Sequence, residues 1–153
     1  MFRLLEITFE NDKESQAIYS YDDVVSLQGS YESKLGQAML NGTGIILIGL
    51  DEDGKIAHGA DNASLNTKYG EHTFSPRLYE AKTAPNKDTG VIEEVVDLAK
   101  YDDENTAHAR FHTKKGAAIN NNDVSKEVLY GFDGEGKELD YCKWERPSAP
   151  VEG

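Results

Sequence analysis

Apolar and polar residues alternate along residues 5–10 of the chain. Leu5, Ile7 and Phe9 point to one side of an extended chain, and the residues between them are more polar. A period of two is typical of a half-buried β-strand. The polar stretch 11–13 predicts a turn, and the apolar stretch 17–19 predicts a second strand.

The next segment has the spacing of a helix rather than that of a strand. Apolar residues return every three or four positions at Val24, Leu27, Tyr31, Leu35 and Ala38. This spacing predicts an amphipathic helix with one apolar stripe. Asp22 or Asp23 can supply the N-cap oxygen, and Asn41-Gly42 predicts the end of the helix.

A continuous apolar run follows the helix and completes a unit of five elements. The run Ile45–Ile48 predicts a central strand that is covered on at least one face. The turn residues Asp51–Gly54 then lead into a predicted edge strand at 55–57. The order of elements in this first part of the chain is therefore ββαββ.

The second half repeats this order and part of the sequence. Arg3-Leu4-Leu5-Glu6 returns as Arg77-Leu78-Tyr79-Glu80, and Tyr21-Asp22-Asp23 returns as Tyr101-Asp102-Asp103. The pattern predicts strands at 78–83, 91–98, 128–132 and 138–144, with a helix from about 103 to 120.

These patterns predict an α+β protein made by tandem duplication of a ββαββ unit. We expect antiparallel sheets with one helix per repeat and a pseudo-twofold relation between the repeats. The predicted boundaries are 1–60 for the first repeat, 61–76 for a linker, 77–146 for the second repeat and 147–153 for a tail. Two packings remain open: the halves meet through their helix sides, or their edge strands pair into one sheet.

The charge of the chain restricts its partners. The 153 residues carry a formal net charge of -12. Such a field repels nucleic acid and acidic lipid and attracts basic protein surfaces, although it also serves solubility. The single cysteine, Cys142, excludes an internal disulfide, and the sequence has neither an apolar run of membrane-spanning length nor the pattern of a signal peptide. We therefore expect a cytoplasmic protein that binds neither membranes nor nucleic acid directly.

Candidate chemistry in the sequence is sparse. Glu104, His108 and His112 recur at four-residue intervals on the second predicted helix and could face one metal ion. Their counterparts in the first repeat include the polar Gln28 and Glu32, which favours a solvated helix face for the two histidines. No phosphate-binding loop or serine elbow is present. We predict no catalytic residue, no metal and no cofactor.

Tyrosines beside acids are the better candidates for contact with a partner. Tyr69 lies in the predicted linker, and Tyr101 precedes three consecutive acids. Tyrosine is enriched in the buried centre of protein interfaces. The predicted partner-binding residues are Asp22, Asp23, Tyr69, Tyr101, Asp102, Asp103 and Glu104.

Each half resembles short uncharacterised accessory proteins of phages and mobile elements of Gram-positive gut bacteria. The resemblance lies in Met1-Phe2-Arg3-Leu4, in Tyr19-Ser20-Tyr21-Asp22 and in the hairpin Asp51-Glu52-Asp53-Gly54. It implies a small accessory protein of a mobile element.

With the acidic charge, this resemblance leads to the functional expectation. We expect a non-enzymatic protein that binds and antagonises a basic, nucleic-acid-binding host protein, in the manner of a counter-defence factor. The alternatives are a structural or assembly subunit of a virion, which would form homo-oligomers, and a metal-binding protein or enzyme.

Overall fold

The computed structural model describes residues 1–59, 64–65 and 74–147, which form two antiparallel sheets and two helices. The elements are β1 (Phe2–Glu10), β2 (Lys13–Tyr21), α1 (Val24–Asn41), β3 (Gly44–Leu50), β4 (Ile56–His58), β5 (Ser64–Leu65), β6 (Arg77–Pro85), β7 (Ile92–Lys100), α2 (Glu104–Asn120), β8 (Lys126–Phe132) and β9 (Glu138–Glu145). The predicted α+β class is confirmed. None of the described helices is long and apolar enough to span a membrane.

The two sheets share one strand order. The first runs β2-β1-β3-β4, with the short β5 also paired to β3, and the second runs β7-β6-β8-β9. The register agrees as well, because Arg3 pairs with Leu50 in the first sheet and Arg77 pairs with Phe132 in the second. Both final strand pairs have an irregularity at the same place, after Gly49 and after Gly131. These agreements are consistent with a duplicated unit.

Local sequence explains the ends of the elements. The β1–β2 hairpin turns through Asn11 and Asp12, whose φ angles of 53° and 60° suit the two-residue turns that match strand twist. Both helices begin after an aspartate that bonds a free amide, Asp23 and Asp103. Gly42, at φ 71°, ends α1 in the left-handed conformation that glycine adopts readily.

The two sheets pack against each other through the faces that no helix covers. The core between them consists of Leu5, Ile7, Ile46, Ile48, Leu50 and Phe74, and of Tyr79, Ala81, Leu98, Val128, Tyr130 and Phe132. Helix α1 covers the other face of the first sheet through Leu27 and Tyr31, and α2 covers that of the second through Phe111. The layer order is therefore helix, sheet, sheet, helix, which differs from both packings expected from the sequence.

The reason for this difference lies in the central strands. Leu4 and Leu5 are adjacent in β1, and both are buried, because one faces α1 and the other faces the second sheet. The continuous apolar run of β3 is likewise covered on both faces. The apolar pattern indicates that both faces are covered but does not indicate which element covers each.

Candidate interaction surface

The described surface is strongly acidic because most exposed ionisable side chains are carboxylates. Seventeen described acids are exposed, and they are Glu10, Asp12, Asp22, Asp23, Glu32, Glu52, Asp88, Glu93, Glu94, Asp97, Asp102, Asp103, Glu104, Asp123, Glu135, Glu138 and Glu145. Only seven described bases are exposed, and they are Lys13, Lys55, Lys87, Lys100, Arg110, Lys137 and Lys143. The negative charge of the chain is therefore presented to solvent.

Many of the remaining bases are held in ion pairs inside the fold. Arg77, with 1% of its side chain exposed, lies 3.3 Å from the Glu14 carboxylate between the two repeats. Arg3 pairs across the same interface with Glu94. Burial alone would raise the pKa of Glu14. The Lys100 ammonium, the Ser75 amide and Arg77 outweigh burial and lower this pKa to about 2. Glu14 is therefore charged at any neutral pH.

Two of the predicted partner-binding aspartates hold helix ends. The Asp23 carboxylate accepts a hydrogen bond from the Ser26 amide at 2.7 Å, and Asp103 accepts one from the Thr106 amide at 2.7 Å. These amide bonds lower the pKa of both carboxyls. Both side chains remain exposed, so a structural role does not hide their charge.

The structure places the other predicted contact residues in three different situations. Asp22, Asp102 and Glu104 are exposed, whereas Tyr101 is half-buried against the core under α2. Tyr69 lies outside the described residues. The acids at the start of α1 and those at the start of α2 belong to different outer layers, so the sequence-predicted set does not form one patch.

One long stretch of the described surface is rich in exposed acids, and four of these acids were not predicted as contact residues from the sequence. Strand β7 and its hairpin carry Asp88, Glu93, Glu94 and Asp97, and the acids at the start of α2 follow. We call 88–104 the acidic segment. The corresponding strand β2 contains one acid, Glu14, and its carboxylate forms an ion pair with Arg77. The sequence signal for the four acids was the pair Glu93-Glu94, which follows Val91-Ile92 and precedes Val95-Val96 in the predicted strand.

Histidine–carboxylate pairs join each helix to the last strand of its own unit. His108 of α2 lies 2.9 Å from Asp140 of β9, and His58 of β4 lies 2.9 Å from Glu32 of α1. The histidine is on the helix in one repeat and on the strand in the other. A cavity of about 300 Å³ lies beside His108 and is lined by Glu104, Asn105, His108, Leu139 and Asp140.

The metal site considered for α2 gains no support from these positions. His108 is directed to Asp140, and its ring packs edge-on against His112 with the centroids 4.7 Å apart. Within residues 1–59, 64–65 and 74–147, no three His, Cys, Asp or Glu side chains are arranged to hold a metal ion. Cys142 is buried beside Phe111 and Leu129 in the core under α2.

A buried carboxyl pair lies under α2. Glu127 is fully buried, and its carboxyl group lies beside that of Glu80. Burial, together with the nearby Glu80, raises the pKa of Glu127 to about 9. Lys114 of α2 lies 3.4 Å from Glu80. Glu127 is therefore neutral at pH 7, and its enclosure makes it part of the core rather than a site for an external substrate.

Comparison with known protein families, with curated proteins and with solved structures finds no match to this chain.

Proposed function

We propose that this protein binds and antagonises a basic, nucleic-acid-binding protein through its acidic surface. The observation that carries the proposal is the excess of exposed acids over exposed bases, seventeen against seven in the described residues. Interior ion pairs such as Arg77 with Glu14 keep several bases away from that surface. A basic groove that accepts phosphates also attracts such a surface, because steering depends on the sign and density of charge.

The proposed contact is centred on the second repeat. The acids at the start of α2, Asp102, Asp103 and Glu104, continue the acidic segment, whereas Asp22 and Asp23 lie on the other outer layer. Tyr101 supports the first group from beneath through its contact with the core under α2. In this proposal the protein is an accessory factor of a phage or mobile element, it acts in the cytoplasm without catalysis, and its target belongs to the host.

The test begins with capture of partners from a bacterial lysate on the immobilised protein. Duplex DNA is used for elution, because a partner held through its nucleic-acid site is displaced by nucleic acid. The captured protein is then purified, and its binding to labelled DNA or RNA is measured by fluorescence anisotropy with increasing amounts of this protein. We expect inhibition that weakens as salt is raised, because exposed charge contacts are screened.

Neutral variants identify the contact without disturbing the fold. Asp102→Asn, Asp103→Asn and Glu104→Gln remove three charges, and asparagine keeps the N-cap acceptor at position 103. The matched control, Glu10→Gln, Glu52→Gln and Glu138→Gln, removes the same charge elsewhere. We expect the first triple variant to lose most of the inhibition and the control to keep it. Equal inhibition by the two variants, or capture that DNA does not reverse, would contradict the proposal.

A second candidate, an assembly subunit of a virion, is favoured by one observation. Three large apolar residues, Val91, Ile92 and Val95, are exposed on and beside the edge strand β7. Light scattering at increasing concentration tests it, since an assembly subunit forms oligomers through such an edge.

A further inference from the structure

Strand β7 is an open edge of the second sheet. It pairs along its full length with β6, from Arg77 opposite Lys100 to Pro85 opposite Ile92, and on its other side no strand of the described chain pairs with it. An edge strand has a row of backbone groups that can pair with another chain. Near its end, the Leu98 carbonyl accepts a hydrogen bond from Gln16 of β2. The open part is therefore 92–97.

This edge combines acidic side chains with exposed apolar ones. Val91, Ile92 and Val95 are 62%, 65% and 58% exposed, and no lysine or proline lies between Ile92 and Asp97. Charged side chains limit pairing at an edge, and those of this edge, Glu93, Glu94 and Asp97, are all negative, so they oppose an acidic strand more than a basic one. The equivalent edge strand of the first sheet, β2, has the same length of nine residues, but it begins with Lys13 and has no exposed large apolar side chain. Apolar exposure on a long edge strand indicates a binding surface.

The side chains of β7 divide into two rows because they alternate along the strand. Val96 and Leu98 face the core between the sheets, and Glu94 on the same side pairs with Arg3. The opposite row, on the α2 side of the sheet, is Glu93, Val95 and Asp97. Along this row, an acidic side chain is followed by an apolar side chain and then by a second acidic one.

We propose that β7 takes up an extended basic segment of a partner protein as an additional strand. On one face of that segment, a cation, an apolar residue and a second cation at alternate positions would meet Glu93, Val95 and Asp97. Backbone hydrogen bonds to the edge give affinity in this mode of recognition, and the alternate side chains give specificity. The inference rests on the proposed function in taking the partner to be basic.

A second copy of this chain fits the same edge less well. Antiparallel self-pairing about Val95 would place Glu93 of each copy opposite Asp97 of the other. Like charges directly opposite each other on neighbouring strands are destabilising. Charge complementarity therefore selects a basic segment over another β7 strand.

The test uses two peptides of one composition. The probe is Thr-Arg-Thr-Val-Thr-Arg-Thr, with both arginines on the valine face, and the control is Thr-Thr-Arg-Val-Arg-Thr-Thr, with the arginines on the other face. Affinity is measured by fluorescence anisotropy with the full-length protein. We expect the probe to bind more tightly than the control. In a second set of peptides, every other amide is N-methylated, which removes the hydrogen-bond donors from one edge of the peptide. We expect binding to be lost when the methylated amides are those that pair with β7, and to be kept when they are the other set.

Protein variants locate the contact. The double variant Glu93→Gln and Asp97→Asn should weaken probe binding about five- to tenfold, as expected for the loss of two exposed charge pairs. The matched double variant Glu135→Gln and Glu138→Gln should leave it unchanged. Val95→Lys should also weaken binding, and amide exchange in the wild-type protein should slow at 92–97 when the probe is bound.

Each contrary result has a separate meaning. Equal binding of the two peptides, or protection from exchange outside 92–97, would overturn the edge inference while leaving an acidic antagonist possible. A dimer that Val95→Lys dissociates would identify a second copy as the occupant and overturn the inference. Selective probe binding without inhibition of any captured nucleic-acid-binding protein would contradict the proposed function and leave the edge inference standing.

Discussion

At the scale of single residues, the two repeats differ in chemistry at one buried position under the helices. Glu127 in β8 corresponds by register to Ile45 in β3, because Lys82 pairs with Glu127 where Thr8 pairs with Ile45. Both side chains are buried. The second repeat thus buries a carboxyl group where the first buries an isoleucine side chain. Because a buried charge is costly, this carboxyl group is buried in its protonated form.

Glu127→Gln should therefore stabilise the protein above mildly acidic pH. In the folded chain Glu127 keeps its proton up to about pH 9, whereas an unfolded glutamate releases it near its ordinary pKa of 4.5. The unfolded state binds fewer protons between these values, so this group lowers stability as pH rises through that window. We expect the variant to gain on the order of 2 kcal/mol at pH 7 and to show a flatter profile. Urea unfolding from pH 5 to 9 measures this, and exposed Glu145→Gln serves as the control.

Gly54 occupies a position where contact between the repeats leaves no room for a side chain. Its φ is +75°, and a Cβ there would lie 2.3 Å from Val128 Cγ1 of the other repeat. Gly90 has φ +74° and nothing within 4 Å of the same position. Gly90→Ala should cost about 1 kcal/mol from backbone strain alone, and Gly54→Ala about 2–4 kcal/mol because the contact adds to it. Equal melting temperatures for the two variants would argue against this packing of the repeats.

At the scale of elements, most of the architecture was readable from local pattern. Strand and helix periods predict the main elements, and the aspartate before each helix identifies the N-cap. These features depend on neighbours within a few positions. The pairing of His108 with Asp140 was not predictable, since these residues are far apart in sequence and many acids could have been the partner.

The cap of α2 gives a prediction at this scale. Asp103→Ala removes the acceptor for the Thr106 amide and should lower the melting temperature by roughly 2–4 °C, with faster amide exchange in the first turn of α2. Asp103→Asn keeps an acceptor and should lose much less. Asp102→Ala removes a neighbouring exposed charge without touching the cap. If Asp102→Ala lowered the melting temperature as much as Asp103→Ala does, loss of the cap would not explain the destabilisation.

At the scale of the whole molecule, the repeats are joined by an apolar core and by charges at its rim. The sheet-to-sheet arrangement could not be predicted, because an apolar strand face does not specify its partner. The charged contacts were equally hidden: Glu14 meets Arg77 and Lys100 across the interface at 3.3 and 2.8 Å, and no local pattern links these positions. In the acidic segment, Asp102, Asp103 and Glu104 were predicted from the sequence, whereas Asp88, Glu93, Glu94 and Asp97 were not.

Glu14→Gln should weaken the joint between the repeats and change its response to acid. The pKa of Glu14 is about 2 in the folded chain against an ordinary value of 4.5, so its stabilising contribution is complete above about pH 4.5 and is lost as pH falls towards 2. Removing it also leaves Arg77 buried without its carboxylate partner. We expect a loss of about 3 kcal/mol at pH 7 and a flatter acid profile. Exposed Glu10→Gln should behave as wild type in the same unfolding titration.

The apolar sheet faces that no helix covers are also relevant to how the two halves arose. If one ancestral ββαββ unit was copied, that unit alone would have carried a face as apolar as the one formed by Leu5, Ile7 and Ile48, and a second copy was the natural cover for it. The ancestor would then have been a symmetric homodimer, and gene fusion would have turned an intermolecular contact into an intramolecular one. In that case the fused halves would have been free to diverge independently, and the difference between Ile45 and Glu127 would be one result.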